Sequence, residues 1–155
     1  MNFMVTILKG NTFFKAFSDG ELLLLLQFAE RRHLRKGEVV FREGDRDDGA
    51  VYFIEEGIVK ILKEHAGQRK VLAMFGLGNV FGEMSFLDPG PRSATVVADE
   101  DTVIHALHPE AFHRLEADAP GMAIKLLKVF NAKLVARLRE TDEALVRKDP
   151  KIIII

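Results

Sequence analysis

Glu83 and Arg92 are the residues whose types and spacing could do chemistry. They stand on either side of the turn Asp88-Pro89-Gly90-Pro91, in the segment FGEMSFLDPGPRSATVVA (81–98), which is otherwise small or apolar. A glycine ahead of a short helical turn lets backbone N–H groups point at one spot, and a helix start favours an anion there. Gly82-Glu83-Met84-Ser85 reads as such a turn. Arg92 adds a planar positive fork suited to phosphate. The Glu83 carboxylate can only accept hydrogen bonds, so beside a phosphate it would seek a sugar hydroxyl. Together these groups describe a ribose-phosphate site for a single negative charge; a polyphosphate would call for more positive charge, usually with lysine and a metal. The same two residues also read as a surface ion pair across a hairpin, worth ~0–1 kcal/mol. Spacing alone does not separate the two.

Nothing else in the chain suggests catalysis or a metal. There are no cysteines, hence no thiolate nucleophile, cysteine zinc site or disulfide framework. The histidines at 33, 65, 105, 108 and 113 form no H-E-x-x-H or similar pattern. His105 and His108 are expected to serve packing or capping. No catalytic residue, metal or cofactor is expected, and the chain is not expected to be an enzyme.

The elements that must position Glu83 and Arg92 belong to one domain, 1–155. Its 48% hydrophobic and 29% charged residues suit a soluble globular protein with a real core. A formal charge of −1 gives no field that would attract nucleic acid or an anionic membrane. The apolar start MNFMVTILKG has no basic segment before it, so no signal peptide is expected. The longest wholly apolar run, Leu22 to Leu26, is far short of the ~20 residues of a membrane helix. A cytoplasmic location is the default.

Three zones follow. The first, 1–35, reads as helical to about His33, with Ser18 and Glu21 placed as a capping box. Its five leucines cover more than one helical face, so they pack on the chain's own core or meet a second copy. The second, 36–108, changes period. Short runs (EVVF, VYFIE, IVKILKE, KVLAMF, SATVVA, TVIHAL) alternate with glycine or Asx turns. This predicts a mainly β fold with flanking helices, an antiparallel jelly-roll (double-stranded β-helix) barrel. The third, 109–148, is helical again, with a short helix from Pro109 and a longer one from Pro120 to about Arg147. Leu127, Phe130, Leu134, Leu138, Thr141 and Leu145 draw one stripe along it, against the barrel or a second subunit. The tail 149–155, ending KIIII, has no derivable role.

The cassette resembles the phosphate-binding segment of the cyclic nucleotide-binding domain family, F-G-E-(L/I/M)-(A/S)-L-(L/I)-x-x-x-P-R-(A/S/T)-A-x-V. Phe86 stands where leucine is usual. The likeness extends to the FREGD turn (41–45), the glycine after VYFIEE (Gly57) and the terminal helix. It implies that Glu83 receives the ribose 2′-hydroxyl and Arg92 the cyclic phosphate. Gly82, Met84 and Ser85 would line the cassette, and Ser93 could donate to a phosphate oxygen. Ile61 and Leu72 would touch sugar or base. ARLRETDEA (136–144) is similar to the dimer helix of the bacterial catabolite activator (Crp/Fnr-type) branch. By that likeness Arg137 approaches the phosphate, and Thr141 meets the base edge from its own or a neighbouring subunit. Asp142 departs from a serine there and could accept from an adenine or guanine amine.

The resemblance thus implies a stand-alone sensor for a cyclic purine mononucleotide, cyclic AMP favoured over cyclic GMP. It would be a homodimer through the C-terminal helix, signalling to an unknown protein partner. No helix-turn-helix segment follows Pro150, so DNA is not an expected partner. The alternatives are a ligand-free interaction module that keeps the fold, and the sensor half of a truncated transcription regulator.

Overall fold

The computed structural model of the chain describes residues 2–148; the KIIII tail lies outside them. Helix α1 (Phe3–Lys9) starts at Asn2, whose Oδ1 accepts from the Met4 and Val5 amides. Helix α2 (Asp19–Phe28) carries the expected Ser18–Glu21 capping box. Of its leucines, Leu22 and Leu25 are fully buried while Leu23 faces solvent.

Among the described residues eight strands follow: β1 (Glu30–Leu34), β2 (Val39–Phe41), β3 (Val51–Glu56), β4 (Val59–His65), β5 (Gln68–Phe75), β6 (Val80–Phe81), β7 (Thr95–Ala98) and β8 (Thr102–Leu107). Helix α3 (Glu83–Leu87) sits between β6 and β7, and α4 (Pro109–Asp118) and α5 (Pro120–Lys148) close the chain. The first zone is therefore not helical to His33. The chain leaves α2 after Phe28, and β1 pairs antiparallel with β8 from Glu30↔Ala106 to Leu34↔Thr102. ERRHL buries only Leu34, so its strand character comes from its partner and not from its own apolar pattern.

The strands form two four-stranded sheets, β1-β8-β3-β6 and β2-β7-β4-β5. The pairs β1–β8, β2–β7, β3–β6 and β4–β5 describe one long hairpin, with the β4–β5 turn at its tip, rolled up on itself. That is jelly-roll connectivity. The two sheets face each other but are not joined edge to edge into a closed barrel.

Alternation in β3 explains the two cores. Tyr52 and Ile54 point between the sheets with Leu34, Phe41, Val59, Phe81 and Ile104. Val51 and Phe53 point the other way, onto the helices, with Leu22, Leu25, Leu115, Leu126 and Phe130. A strand buried on both faces loses its polar alternation, which is why VYFI reads as a solid apolar run. His105 is buried at β8 and bonds Glu55 through Nε2 at 2.9 Å. Among the described residues no helix is long and apolar enough to cross a membrane.

The N-terminal half of α5 packs into the helical core through Met122, Ala123, Leu126, Val129 and Phe130. Beyond it Val135 and Leu138 are exposed. The stripe read from the sequence is thus split: Phe130 lies in the core, whereas Leu138 and Thr141 are exposed on the helix's distal half.

Candidate functional site

Gly82 starts the site. Strand β6 brings the chain in, anchored by Tyr52↔Phe81 pairing and by stacking of the two rings at 5.0 Å. Gly82 then takes φ 86°, and α3 begins with Glu83. A side chain at Gly82 would put Cβ 3.0 Å from the Ala50 carbonyl and 3.1 Å from Arg92 Nη1. Only glycine adopts that backbone freely and leaves that space. Phe86, the departure from leucine, has a packing reason. Its ring meets Phe112 of α4 and Phe130 of α5 edge-on, at 5.2 and 5.5 Å. The cassette helix is thereby tied to both C-terminal helices.

Arg92 is 3% exposed. Its Nε donates to both oxygens of Asp47 at 3.0 Å, Nη1 to the Gly82 carbonyl at 3.2 Å and Nη2 to the Ala50 carbonyl at 2.9 Å. The Phe41 ring lies 4.0 Å beneath the guanidinium carbon. The backbone is zipped alongside: Arg92 N–H donates to Asp45 and Gly44 N–H to Arg92. The FREGD turn therefore fixes the arginine's approach. A guanidinium has five N–H donors, so these partners orient the fork without exhausting it.

Glu83 is 1% exposed, and its carboxylate faces α5. Its Oε2 stands 3.6 Å from Lys133 Nζ and its Oε1 3.6 Å from Arg137 Nη2. Both separations are attractive but too long for hydrogen bonds. Both Glu83 oxygens and the Lys133 nitrogen are buried without a hydrogen-bond partner. Lys133 also lies 4.9 Å over the Phe75 ring of β5. Burial pushes its ammonium from the ordinary 10.5 down to about 8, against the pull of Glu83 and with the push of Arg137.

The surface ion pair across a hairpin is thus overturned. Both residues are buried, and each faces a different partner. Between them opens a cavity of about 550 Å³. Gly82, Glu83, Met84, Ser85, Arg92, Ser93, Ile61, Leu72, Arg137 and Thr141 all line it. Asp142 does not: one residue past Thr141 the helix has turned by about 100°, and Asp142 sits on the neighbouring face. The Thr141 hydroxyl donates back to the Arg137 carbonyl at 3.0 Å, which leaves its lone pairs as acceptors. Ser93 Oγ contacts the Met84 sulfur at 3.8 Å.

Three residues at or behind the cavity are not among those expected from the sequence: Asp47, Phe75 and Lys133. For Lys133 a signal existed. Lys133, Arg137 and Thr141 recur at steps of four, which places all three on one helical face.

Chemically, the cavity offers an oriented guanidinium at one end and an unbonded carboxylate at the other. A face of α5 closes it with two cations and a hydroxyl. The family model for the cyclic nucleotide-binding domain matches residues 31–118. The chain is 39% identical over 136 residues to the cyclic AMP receptor protein of Thermus thermophilus, covering 87% of this chain and 61% of that protein. The structure is similar to the Thermus thermophilus catabolite activator protein, with TM-score 0.76, 38% identity, and coverage of 87% of this chain and 62% of that one. It is also similar to a cyclic nucleotide-binding domain from Methylobacillus flagellatus, with TM-score 0.84, 28% identity, and coverage of 98% and 85%. The matched region spans about three-fifths of the Thermus proteins' length. The cassette, the jelly-roll connectivity and these matches lead to one statement: the chain belongs to the cyclic nucleotide-binding domain family.

Proposed function

We propose that the chain is a sensor for a cyclic purine mononucleotide, cyclic AMP ahead of cyclic GMP, acting in the cytoplasm by binding and not by catalysis. One observation carries this reading: the buried Glu83 carboxylate and the buried, oriented Arg92 guanidinium line a single cavity of about 550 Å³. That volume suits one small ligand. Arg92 pairs with the cyclic phosphate, Glu83 accepts from the ribose 2′-hydroxyl, and Gly82, Met84, Ser85 and Ser93 line the phosphate end. Ile61 and Leu72 flank sugar and base. The Thr141 oxygen, its proton committed to Arg137, accepts from the purine's exocyclic amine. The name of the Thermus thermophilus relative, a cyclic AMP receptor, supports adenine.

Signalling follows from where the lining residues come from. Ligand contacts on α3 and on α5 draw the cassette and the long helix together, and the equilibrium shifts by the ligand's differential affinity for the two arrangements. The output surface is the distal half of α5, where exposed Val135, Leu138 and Val146 form a seam for a second copy or a protein partner. DNA is not proposed as a partner.

One observation favours a second reading, an interaction module that binds no nucleotide. Asp47 already neutralises Arg92 at 2.9 Å. Calorimetric titration with both cyclic nucleotides separates the two. Micromolar or tighter binding of cyclic AMP supports the sensor, and no heat at millimolar ligand supports the module.

A further inference from the structure

Three polar atoms are buried side by side at the sugar end of the cavity without hydrogen bonds: Glu83 Oε1, Glu83 Oε2 and Lys133 Nζ. Burying such groups unpaired is costly, more so when they carry charge. The Phe75 ring covers Lys133, and its side chain is 15% exposed against 45% for Arg137, so Lys133 is the inner of the two cations.

The chemistry of the three atoms selects what can satisfy them. An exocyclic amine has donors for Glu83 but offers Lys133 no acceptor. A phosphate or carbonyl oxygen accepts from Lys133 but meets the Glu83 carboxylate with a lone pair. A hydroxyl does both through one atom: its O–H donates to the carboxylate and its oxygen accepts from the ammonium. An oxygen seated about 2.7–3.0 Å from each spans the 3.6 Å between Glu83 Oε2 and Lys133 Nζ.

We propose that Lys133 is a specificity-determining residue of this site, which reads the ligand's ribose 2′-hydroxyl jointly with Glu83. The inference rests on the reading of the cavity as a cyclic-nucleotide site. It assigns the lysine a contact that no cassette residue supplies. The charged groups facing Lys133 are Glu83 from α3 and Arg137 from its own helix, with Glu140 further along the cavity wall.

The test is calorimetric titration of the whole chain and its Lys133→Met variant with cyclic AMP and 2′-deoxy cyclic AMP at pH 7. Each charge-assisted hydrogen bond is worth about tenfold or more. The wild type is therefore expected to favour the ribose form by about 100-fold and Lys133→Met by about tenfold. A wild-type ratio retained in Lys133→Met overturns the role of Lys133 while leaving the site a nucleotide site. Failure of the wild type to bind either nucleotide overturns both. A second measurement needs no variant. The wild-type ratio, followed from pH 6.5 to 9.5, is expected to fall as the ammonium loses its proton, and a flat ratio overturns the inference.

Discussion

Replacing Lys133 by methionine is expected to stabilise the fold while damaging the site. Methionine keeps the length of the side chain and removes a charge that the interior accommodates poorly. The ammonium's drop from 10.5 to about 8, caused first by burial, reflects that cost. At about 1.4 kcal/mol per pH unit, the charged form costs the folded state about 3 kcal/mol at pH 7. The native protein binds fewer protons than the unfolded chain between those two values, so this group's contribution to stability rises with pH from about 8 to 10.5. The penalty is fully present below about pH 8 and gone above about 10.5. The gain on Lys133→Met is thus about 3 kcal/mol at pH 7, shrinking to about 1 kcal/mol at pH 9.5. Urea unfolding of both proteins at pH 7, 8, 9 and 9.5 reads the difference directly, and melting at pH 7 should rise by roughly 6–12 °C. Tyr52, whose hydroxyl burial pushes upward, titrates in both proteins and cancels. A variant no more stable than the wild type at pH 7, or a difference that ignores pH, would refute the reasoning.

Three further substitutions separate site from scaffold. Gly82→Ala forces an alanine to φ 86° against Arg92 and the Ala50 carbonyl; expect about 1–3 kcal/mol of lost stability and at least tenfold weaker nucleotide binding by calorimetry. Gly57→Ala places Cβ 2.4 Å from Thr102 Oγ1 and 2.5 Å from the Asp101 carbonyl at φ 92°. It is expected to cost about 2–3 kcal/mol in urea unfolding with ligand affinity unchanged, because neither neighbour lines the cavity. Thr141→Val removes an acceptor without changing shape. Fluorescence competition is expected to show affinity for cyclic AMP falling about fivefold, the worth of one neutral hydrogen bond.

The strands with solid apolar runs were legible because burial on both faces leaves an unambiguous composition. Strand β1 was not, since ERRHL buries one residue and owes its conformation to β8 across the sheet. Strand β6 is two residues long, Val80–Phe81, too short to show a period. At the site, Glu83 and Arg92 were legible from the cassette itself, as residues of unusual type in a small, apolar segment. Their partners were harder. Asp47 reads as one more acid in a polar turn, and Lys133 as a solvated lysine on a helix. What buries Lys133 is Phe75 and Glu83, which only the rolled hairpin brings against α5. Asp142 rested on a likeness to a motif alone, and in the structure it is not among the residues that line the cavity.

The most direct test of the site is calorimetric titration of the wild type and Arg92→Ala with cyclic AMP. Losing one charge-assisted contact to the phosphate predicts affinity weaker by about 10–150-fold, or about 1.5–3 kcal/mol, in a variant that still melts cooperatively. Equal binding by the two proteins, or no binding by the wild type, would contradict the account.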